Sequence, residues 1–101
     1  MIMKEMGRVM IDGEEVILVR TQYDNNRIAI KGVTDRDGLI QPFAMLTVDI
    51  PDVPLANDEV IVKNWSENAE FAQVCLDSGL FEDTMTRIKI GYVLAPIWRI
   101  K

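Results

Sequence analysis

Residues 59–71 read EVIVKNWSENAEF and place a short β-rich run directly before a helical pattern. Between Glu67 and Ser78 the apolar residues recur at helical spacing, which predicts an amphipathic helix. Ser66 precedes this pattern, and we expect its hydroxyl to cap the first turn by accepting a backbone N–H. Gly79 follows it, where a left-handed C-terminal cap is expected. NWSENAEF is thus the corner between a strand and a helix, with Trp65 wholly or half buried there.

Turn signals divide the rest of the chain into further β-rich runs. Asp12-Gly13 lies between two such runs and is typical of a two-residue hairpin. Residues 24–26 and 35–38 are rich in Asp, Asn and Gly, which favour turns. Pro42 argues for an edge position or a bulge in the run 39–50, and Pro96 argues the same for the last strand of 86–100. We predict a single small α+β domain over residues 1–101, with an antiparallel sheet of about five to seven strands and one helix packed on one face.

Composition favours a soluble, cytoplasmic protein. Hydrophobic residues make up 49% of the chain and charged residues 27%, an ordinary balance for a folded domain. Charged residues interrupt the first ten positions, so we expect no signal peptide. The longest uncharged stretch, residues 38–48, is about half of what a bilayer span needs, so no membrane association is expected. One cysteine cannot form an internal disulfide.

The net charge of −5 is unevenly distributed along the chain. Residues 1–48 hold seven acids and six bases, whereas residues 49–83 hold nine acids and Lys63 alone. Residues 84–101 hold four bases and no acid. The nine acids of the middle segment are Asp49, Asp52, Asp58, Glu59, Glu67, Glu70, Asp77, Glu82 and Asp83. Because a nucleic-acid-binding protein usually presents a basic patch, direct nucleic-acid binding is disfavoured.

Residue types that carry common catalytic chemistry are scarce. The chain has no histidine, which removes the usual general base, the usual metal ligand and every Ser-His or Cys-His arrangement. Cys75 falls on the apolar helix face, where a small core hydrophobe is expected. No glycine-rich phosphate loop occurs, and the calcium-loop-like Asp35–Gly38 lacks the acid at position twelve. We expect a non-enzyme with no catalytic residue, cofactor or metal site.

The polar face of the predicted helix is the candidate interaction surface. Its simplest interpretation is a solvated face. The functional interpretation joins it to the neighbouring acids as an acidic surface for a basic partner, with Trp65 as an aromatic anchor if that side chain is exposed. The candidate protein-interaction residues are Trp65, Glu67, Glu70, Gln73, Asp77, Glu82 and Asp83.

Three stretches resemble an uncharacterised family of short proteins encoded on plasmids, phages and conjugative elements of Firmicutes and other gut bacteria. They are NRIAIKGVTDRDGLIQPFAMLTVDIPD (26–52), DEVIVKNWSENAEF (58–71) and CLDSGLFEDT (75–84). A related module occurs in large multidomain proteins of such elements. The resemblance covers roughly residues 16–99, with S-E-N after a lysine-bearing strand as its most specific feature. It supplies no known catalytic residues to carry over, and it implies a mobile-element origin, in which small acidic proteins often disarm host defences.

The sequence therefore leaves three functional interpretations. The first is a non-enzymatic protein-binding module of a mobile genetic element, acting through its acidic surface on a host defence or nucleic-acid-binding protein, as an anti-restriction or anti-CRISPR inhibitor would. The second is a structural or accessory homodimer formed through an exposed edge strand in residues 92–100. The third is a small-ligand binder or an enzyme that uses carboxylates alone, which would need a deep pocket lined by acids with raised pKa. Monomer and homodimer both remain open.

Overall fold

The computed structural model describes residues 3–101, which form eight strands and one α-helix. The elements are β1 (Lys4–Ile11), β2 (Glu14–Gln22), β3 (Ile28–Arg36), β4 (Leu39–Met45), β5 (Thr47–Val48), β6 (Glu59–Val62), α1 (Ala69–Asp77), β7 (Phe81–Ile90) and β8 (Val93–Ile100). A single turn of 3-10 helix, Ser66–Asn68, leads into α1. The chain is therefore an α+β protein, as predicted. Within residues 3–101, no helix is both long and apolar enough to cross a bilayer.

The strands form two antiparallel sheets rather than the one sheet that the sequence predicted. Sheet 1 has the order β1-β2-β3-β4, and sheet 2 has the order β5-β6-β8-β7. The prediction treated the apolar run 39–50 as one element, but the chain leaves sheet 1 at Leu46 and enters sheet 2 at Thr47. Continuous hydrophobicity cannot reveal such a crossing, since both strands are apolar on their inner side.

Leu46 links the two sheets by backbone hydrogen bonds. Its N–H donates to the Ile30 carbonyl of β3 at 2.9 Å, and its own carbonyl accepts the N–H of Lys63, just after β6, at 2.8 Å. The side chain of Thr47 extends this link, because its Oγ1 accepts the N–H of Ile30 at 3.1 Å. The backbone polar groups at the crossing are thus paired although the crossing is buried.

The predicted turns are confirmed. Asp12 and Gly13 both have positive φ, 50° and 79°, as a two-residue hairpin with the twist of its strands requires. Pro42 lies on the edge strand β4 beside a register shift, also as predicted. Pro96 was predicted to lie in an edge or bulged strand. β8 lies between β6 and β7, but β6 pairs only with Ile97–Arg99, so Pro96 pairs with β7 alone. The register between β7 and β8 is irregular at this point, which agrees with the bulge alternative.

The main core lies between the two sheets and is closed by α1. Val16 and Leu18 of β2 face Val60 and Val62 of β6 in one apolar cluster, and Phe71 of α1 packs into it. The fit around Phe71 depends on Gly32, since a Cβ at this position would stand 2.9 Å from the ring and 2.8 Å from Val16. Burying this cluster from both sheets supplies the main driving force for folding.

The helix begins differently from the prediction. Ser66 has a positive φ of 56° and makes no capping hydrogen bond, so the expected N-cap is wrong. Trp65 occupies the position before the 3-10 turn with extended backbone, and the carbonyl of Trp65 accepts the N–H of Asn68 at 3.1 Å. The predicted C-terminal cap is confirmed, with Gly79 at a φ of 84°.

Candidate binding site

The 3-10 turn and the outer face of α1 carry four of the predicted interaction residues in exposed positions. Glu67, Glu70, Gln73 and Asp77 all face solvent. The Gln73 side-chain amide donates to Asp77 Oδ1 at 2.9 Å, which fixes one carboxylate oxygen. Glu67 lies 3.8 Å from the ammonium of Lys63, an exposed contact of little energetic weight. Within residues 3–101, Glu70 and Asp77 have no basic partner at salt-bridge distance.

The helix is fixed in place by Asn68, whose side-chain role was not predicted. Asn68 is buried, and its Nδ2 donates to the carbonyls of Met45 and Lys63, both at 2.8 Å. These carbonyls belong to the end of β4 and to the residue after β6, so one amide joins the start of the helix to both sheets. An asparagine beside a helix start was the available signal, because such side chains often bond to nearby backbone.

Trp65 is not a free aromatic anchor. It is half buried and packs against a second apolar cluster formed by Ile61, Ala95 and Ile97 on the outer side of sheet 2. Loop residues that follow β5, including Ile50 and Leu55, cover the same cluster. The indole therefore stabilises the corner between β6 and α1, which is the structural role that the sequence favoured.

Glu82 lies in an ion-pair network centred on Arg99. The guanidinium of Arg99 approaches the carboxylate of Glu82 at 3.0 Å and those of Glu59 and Asp58 at 3.5 Å. The strand register explains this arrangement, since Arg99 of β8 is directly opposite Glu59 of β6 on one side and Glu82 of β7 on the other. The basic C-terminal segment thus neutralises part of the acidic segment through cross-strand pairing.

Asp83 is neutralised in a similar way, by Arg87 of its own strand. Arg87 donates two hydrogen bonds to the Asp83 carboxylate, at 2.9 and 2.8 Å. These bonds hold the pKa of Asp83 below its usual value and raise the pKa of Arg87. A carboxylate of this kind stays ionised at neutral pH and is a poor general acid or base.

An irregular segment of β7 brings these two residues together. Asp83 is opposite Trp98 and Arg87 is opposite Pro96, so four residue steps on β7 match two on β8. The extra residues bulge outward at Met85, which is exposed and has a φ of 69°. In a regular strand, residues four apart stand about 13 Å from each other, so the bulge shortens the separation that the ion pair must span.

A cleft of about 270 Å³ lies between α1 and the β7–β8 pair. Gln73 and Leu76 form the helix side, Asp83 and Arg87 form the β7 side, and Trp98 is part of the lining. Its polar groups are one ion pair and neutral amides. Two predicted interaction residues, Gln73 and Asp83, therefore share one concave surface with Arg87, which the sequence analysis did not single out. The charge pattern of β7 alone could not show that Arg87 faces the helix.

The remaining groups to be placed are the Cys75 thiol and the side chains that could bind a metal ion. Cys75 is buried in the main core, and this burial raises the pKa of its thiol to about 12, so it is protonated at neutral pH. Among residues 3–101, no group of three or more His, Cys, Asp or Glu side chains is placed to hold a metal ion. The one carboxylate in the lining of the cleft is that of Asp83, whose pKa is lowered.

Comparisons with known proteins add no further assignment. No family model, no curated protein and no solved structure matches this chain. The resemblance to the mobile-element family therefore stays a prediction from the sequence.

Proposed function

We propose that this protein is a non-enzymatic binding module that recognises the basic surface of a protein partner through the outer face of α1 and the adjoining cleft. This recognition surface consists of Glu67, Glu70, Gln73 and Asp77 on the helix side and the Asp83–Arg87 pair across the cleft. Its acids outnumber its bases, so it would attract and orient a basic partner.

The observation that carries the proposal is the contrast between paired and unpaired acids in residues 49–83. Arg99 and Arg87 bind the carboxylates of Asp58, Glu59, Glu82 and Asp83. Glu70 and Asp77 keep their charge free within the described residues, two helical turns apart on one exposed face. Neither acid caps the helix or holds a base, and the one intrahelical contact, from Gln73 to Asp77, contributes only about 0.2–0.5 kcal/mol. Glu70 lies in the first turn, where the helix dipole favours a negative charge, but Asp77 lies in the last turn, where the dipole opposes it.

The chemistry of the surface favours a particular kind of partner. A cleft of this size admits one side chain, and its polar lining, the Gln73 amide beside the neutral Asp83–Arg87 pair, suits an uncharged polar group. Flanking bases of the partner would meet Glu70 and Asp77. Arg99 and Arg87 interrupt the acidic charge of this protein, so its surface does not imitate a long nucleic-acid backbone. The pattern favours a partner with a compact basic epitope.

In the setting that the family resemblance implies, the partner would be a nucleic-acid-binding component of a host defence complex. Such a component presents arginine and lysine where nucleic acid binds, and a small acidic protein occupying those residues would block access. The identity of the partner would decide whether the protein is an anti-restriction or an anti-CRISPR inhibitor, and both belong to this proposal.

The test is affinity capture from a lysate of a Firmicute host with matched charge-reversal variants. Glu70→Lys combined with Asp77→Lys should lose a partner that the wild type retains at low salt and releases at high salt. The control reverses two exposed acids that belong neither to α1 nor to the lining of the cleft, Asp24→Lys with Asp52→Lys, and changes the net charge equally. Circular dichroism checks that each variant folds. A partner lost equally with both variants would mean that net charge alone, not this surface, drives capture and would overturn the proposal.

A further inference from the structure

A second cleft, basic in character, lies where β1 begins and β8 ends. It encloses about 250 Å³, and its lining comes from both sheets. Lys4 of β1 and Arg20 of β2 line it from sheet 1, and Lys101, the residue after β8, lines it from sheet 2. Leu80 and Ile100 supply apolar parts of the lining. We call it the basic cleft, and it shares no residue with the proposed recognition surface.

The three bases of the basic cleft have no acidic partner within residues 3–101. The salt bridges of this part of the chain use five other bases, Arg8, Arg36, Lys63, Arg87 and Arg99. Arg27 is also bound, because it donates to three backbone carbonyls. The α-carboxylate of Lys101 is likewise outside salt-bridge distance of the three bases. The bases that the fold leaves unpaired are thus concentrated in one concave place.

The one acid in the lining, Glu5, is already neutralised. Both of its carboxylate oxygens accept hydrogen bonds from the guanidinium of Arg8, at 3.0 and 3.1 Å. Glu5 therefore does not cancel the charge of the three cleft bases. The basic cleft keeps an excess of positive charge in a chain whose net charge is −5.

Strand pairing places two of the cleft bases against each other. Lys4 and Arg20 are directly opposite residues of β1 and β2, so their side chains share one face of sheet 1. Like charges in directly opposite positions destabilise a sheet. The charged residues that stand directly opposite each other elsewhere in the described strands, Arg99 with Glu59 and with Glu82, have opposite signs. The fold gains no stability from the Lys4–Arg20 pair, whereas a bound anion would relieve its repulsion.

We propose that the basic cleft binds the phosphate group of a small molecule, with Lys4, Arg20 and Lys101 as the cationic contacts. A phosphate monoester carries about −1.5 to −2 charges at neutral pH, so it matches several bases better than a single carboxylate does. The Arg20 guanidinium can donate two parallel hydrogen bonds to phosphate oxygens, and the two lysines act as point charges. The chain outside the basic cleft carries more acids than bases, so it would repel the successive phosphates of a nucleic-acid backbone.

Thermal unfolding of the full chain in sodium phosphate, compared with sodium chloride of equal ionic strength and pH, tests this inference. Phosphate at about 10 mM should raise the unfolding midpoint of the wild type by about 3 °C or more, because a ligand of the folded chain stabilises it. Lys4→Gln combined with Arg20→Gln, the cleft variant, should lose this rise.

The matched control is Lys31→Gln with Lys89→Gln. It removes the same charge from two bases that have no salt bridge in residues 3–101 and do not line the basic cleft, and it should keep the rise. Phosphate also stabilises proteins by exclusion from their surface, and this general effect acts on both variants alike. Equal stabilisation of both variants, or no stabilisation of the wild type, would overturn the inference.

The stability of the variants without phosphate is a second readout. The cleft variant should unfold about 2 °C or more above the control variant, which has the same net charge, because the like-charge pair is gone. A cleft variant less stable than the control would show that Lys4 and Arg20 support the fold and would contradict the inference.

Adenosine monophosphate in place of inorganic phosphate identifies the source of the phosphate group. An effect equal to that of inorganic phosphate assigns the basic cleft to the free anion, and a larger effect assigns it to a phosphate monoester. Greater stabilisation by oligothymidylate without a terminal phosphate would place a nucleic-acid backbone in the cleft and would overturn the inference. No partner protein is used, so failure here and failure of the acidic recognition surface are separate results.

Discussion

Arg87 donates two hydrogen bonds to the carboxylate of Asp83, and the two residues lie four positions apart on β7. The pair exists because β7 bulges at Met85 and brings the two side chains to the same wall of the cleft beside α1. The Asp83 Oδ1 atom also accepts the N–H of Met85 at 2.8 Å, so the carboxylate stabilises the bulge that positions it. Ion pair, bulge and cleft wall are therefore one structural unit.

This unit makes the stability of the fold sensitive to acid. The pKa of Asp83 is lowered in the folded chain, chiefly by its hydrogen bonds to Arg87. Its stabilising contribution is fully present above the unfolded-state pKa and is lost as the pH falls through the lower folded-state pKa. Asp83→Asn should therefore reduce stability near neutral pH and flatten its dependence on pH below about 4. Urea unfolding at several pH values measures both effects, and an unchanged acid dependence in the variant would contradict the account.

Asn68 should be among the most sensitive polar positions. Asn68→Ala leaves the carbonyls of Met45 and Lys63 without their side-chain donor in a partly buried place, and we expect a loss of about 1–3 kcal/mol in the free energy of unfolding. Asn57→Ala, at an exposed loop asparagine, is the control and should cost under about 0.5 kcal/mol. Chemical denaturation measures the free energy of unfolding of both variants. Equal losses of stability in the two variants would mean that the hydrogen bonds of Asn68 contribute no more to folding than an exposed loop asparagine does.

The close approach of Gly32 to α1 makes a steric prediction. Gly32→Ala would place a methyl group 2.9 Å from Phe71 and 2.8 Å from Val16, so we expect destabilisation of about 1–3 kcal/mol. Phe71→Leu removes the ring edge and should reduce the additional cost of Gly32→Ala. A double-mutant cycle in denaturant measures this coupling. Strictly additive effects would show that the ring is not what excludes the methyl group.

The Arg99 network should contribute modestly to stability because its members are exposed. Arg99→Gln leaves Asp58, Glu59 and Glu82 without their shared base, and we expect a loss of about 0.5–1 kcal/mol, less at high salt. Lys101→Gln is the matched control, since it removes one positive charge from a residue with no salt bridge in the described chain. Thermal unfolding at two salt concentrations compares the stability of the Arg99→Gln and Lys101→Gln variants. A similar loss in the control would attribute the effect to net charge.

Local elements were largely predictable from the sequence, whereas their assembly was not. Asp12-Gly13, Gly79 and the apolar stripe through Phe71 identify a hairpin, a helix end and a helix, because each feature acts within a few residues. The division into two sheets depends on the chain crossing at Leu46, and no local pattern marks that residue. The same limit applies to β8, where Pro96 predicted an edge or bulged strand without showing which. The structure has an irregular register at Pro96, and β6 pairs only with Ile97–Arg99, so the edge proposed for residues 92–100 is paired in part within the chain.

The candidate site was predictable in part for the same reason. Helical spacing alone places Glu70, Gln73 and Asp77 on one face, and the structure agrees. The pairing of Glu82 with Arg99 depends on strand register across 17 residues, and that of Asp83 with Arg87 depends on the bulge. The number of acids counted in residues 49–83 is therefore larger than the number whose charge is free at the surface. Trp65 was placed correctly as a half-buried corner residue that packs on the cluster of Ile61 and Ile97, so its role as an anchor, predicted for an exposed indole, stays a prediction.

The central claim is that the free charges of Glu70 and Asp77 guide a basic partner to the α1 face. Its most direct test is the association rate constant of the captured partner, measured by stopped flow across a range of salt concentrations. The wild type and the Asp24→Lys/Asp52→Lys control should associate rapidly at low salt and slow steeply as salt rises. Glu70→Lys with Asp77→Lys should associate slowly and lose most of that salt dependence. Equal rates and equal salt slopes for all three proteins would show that the helix face is only solvated and would contradict the account.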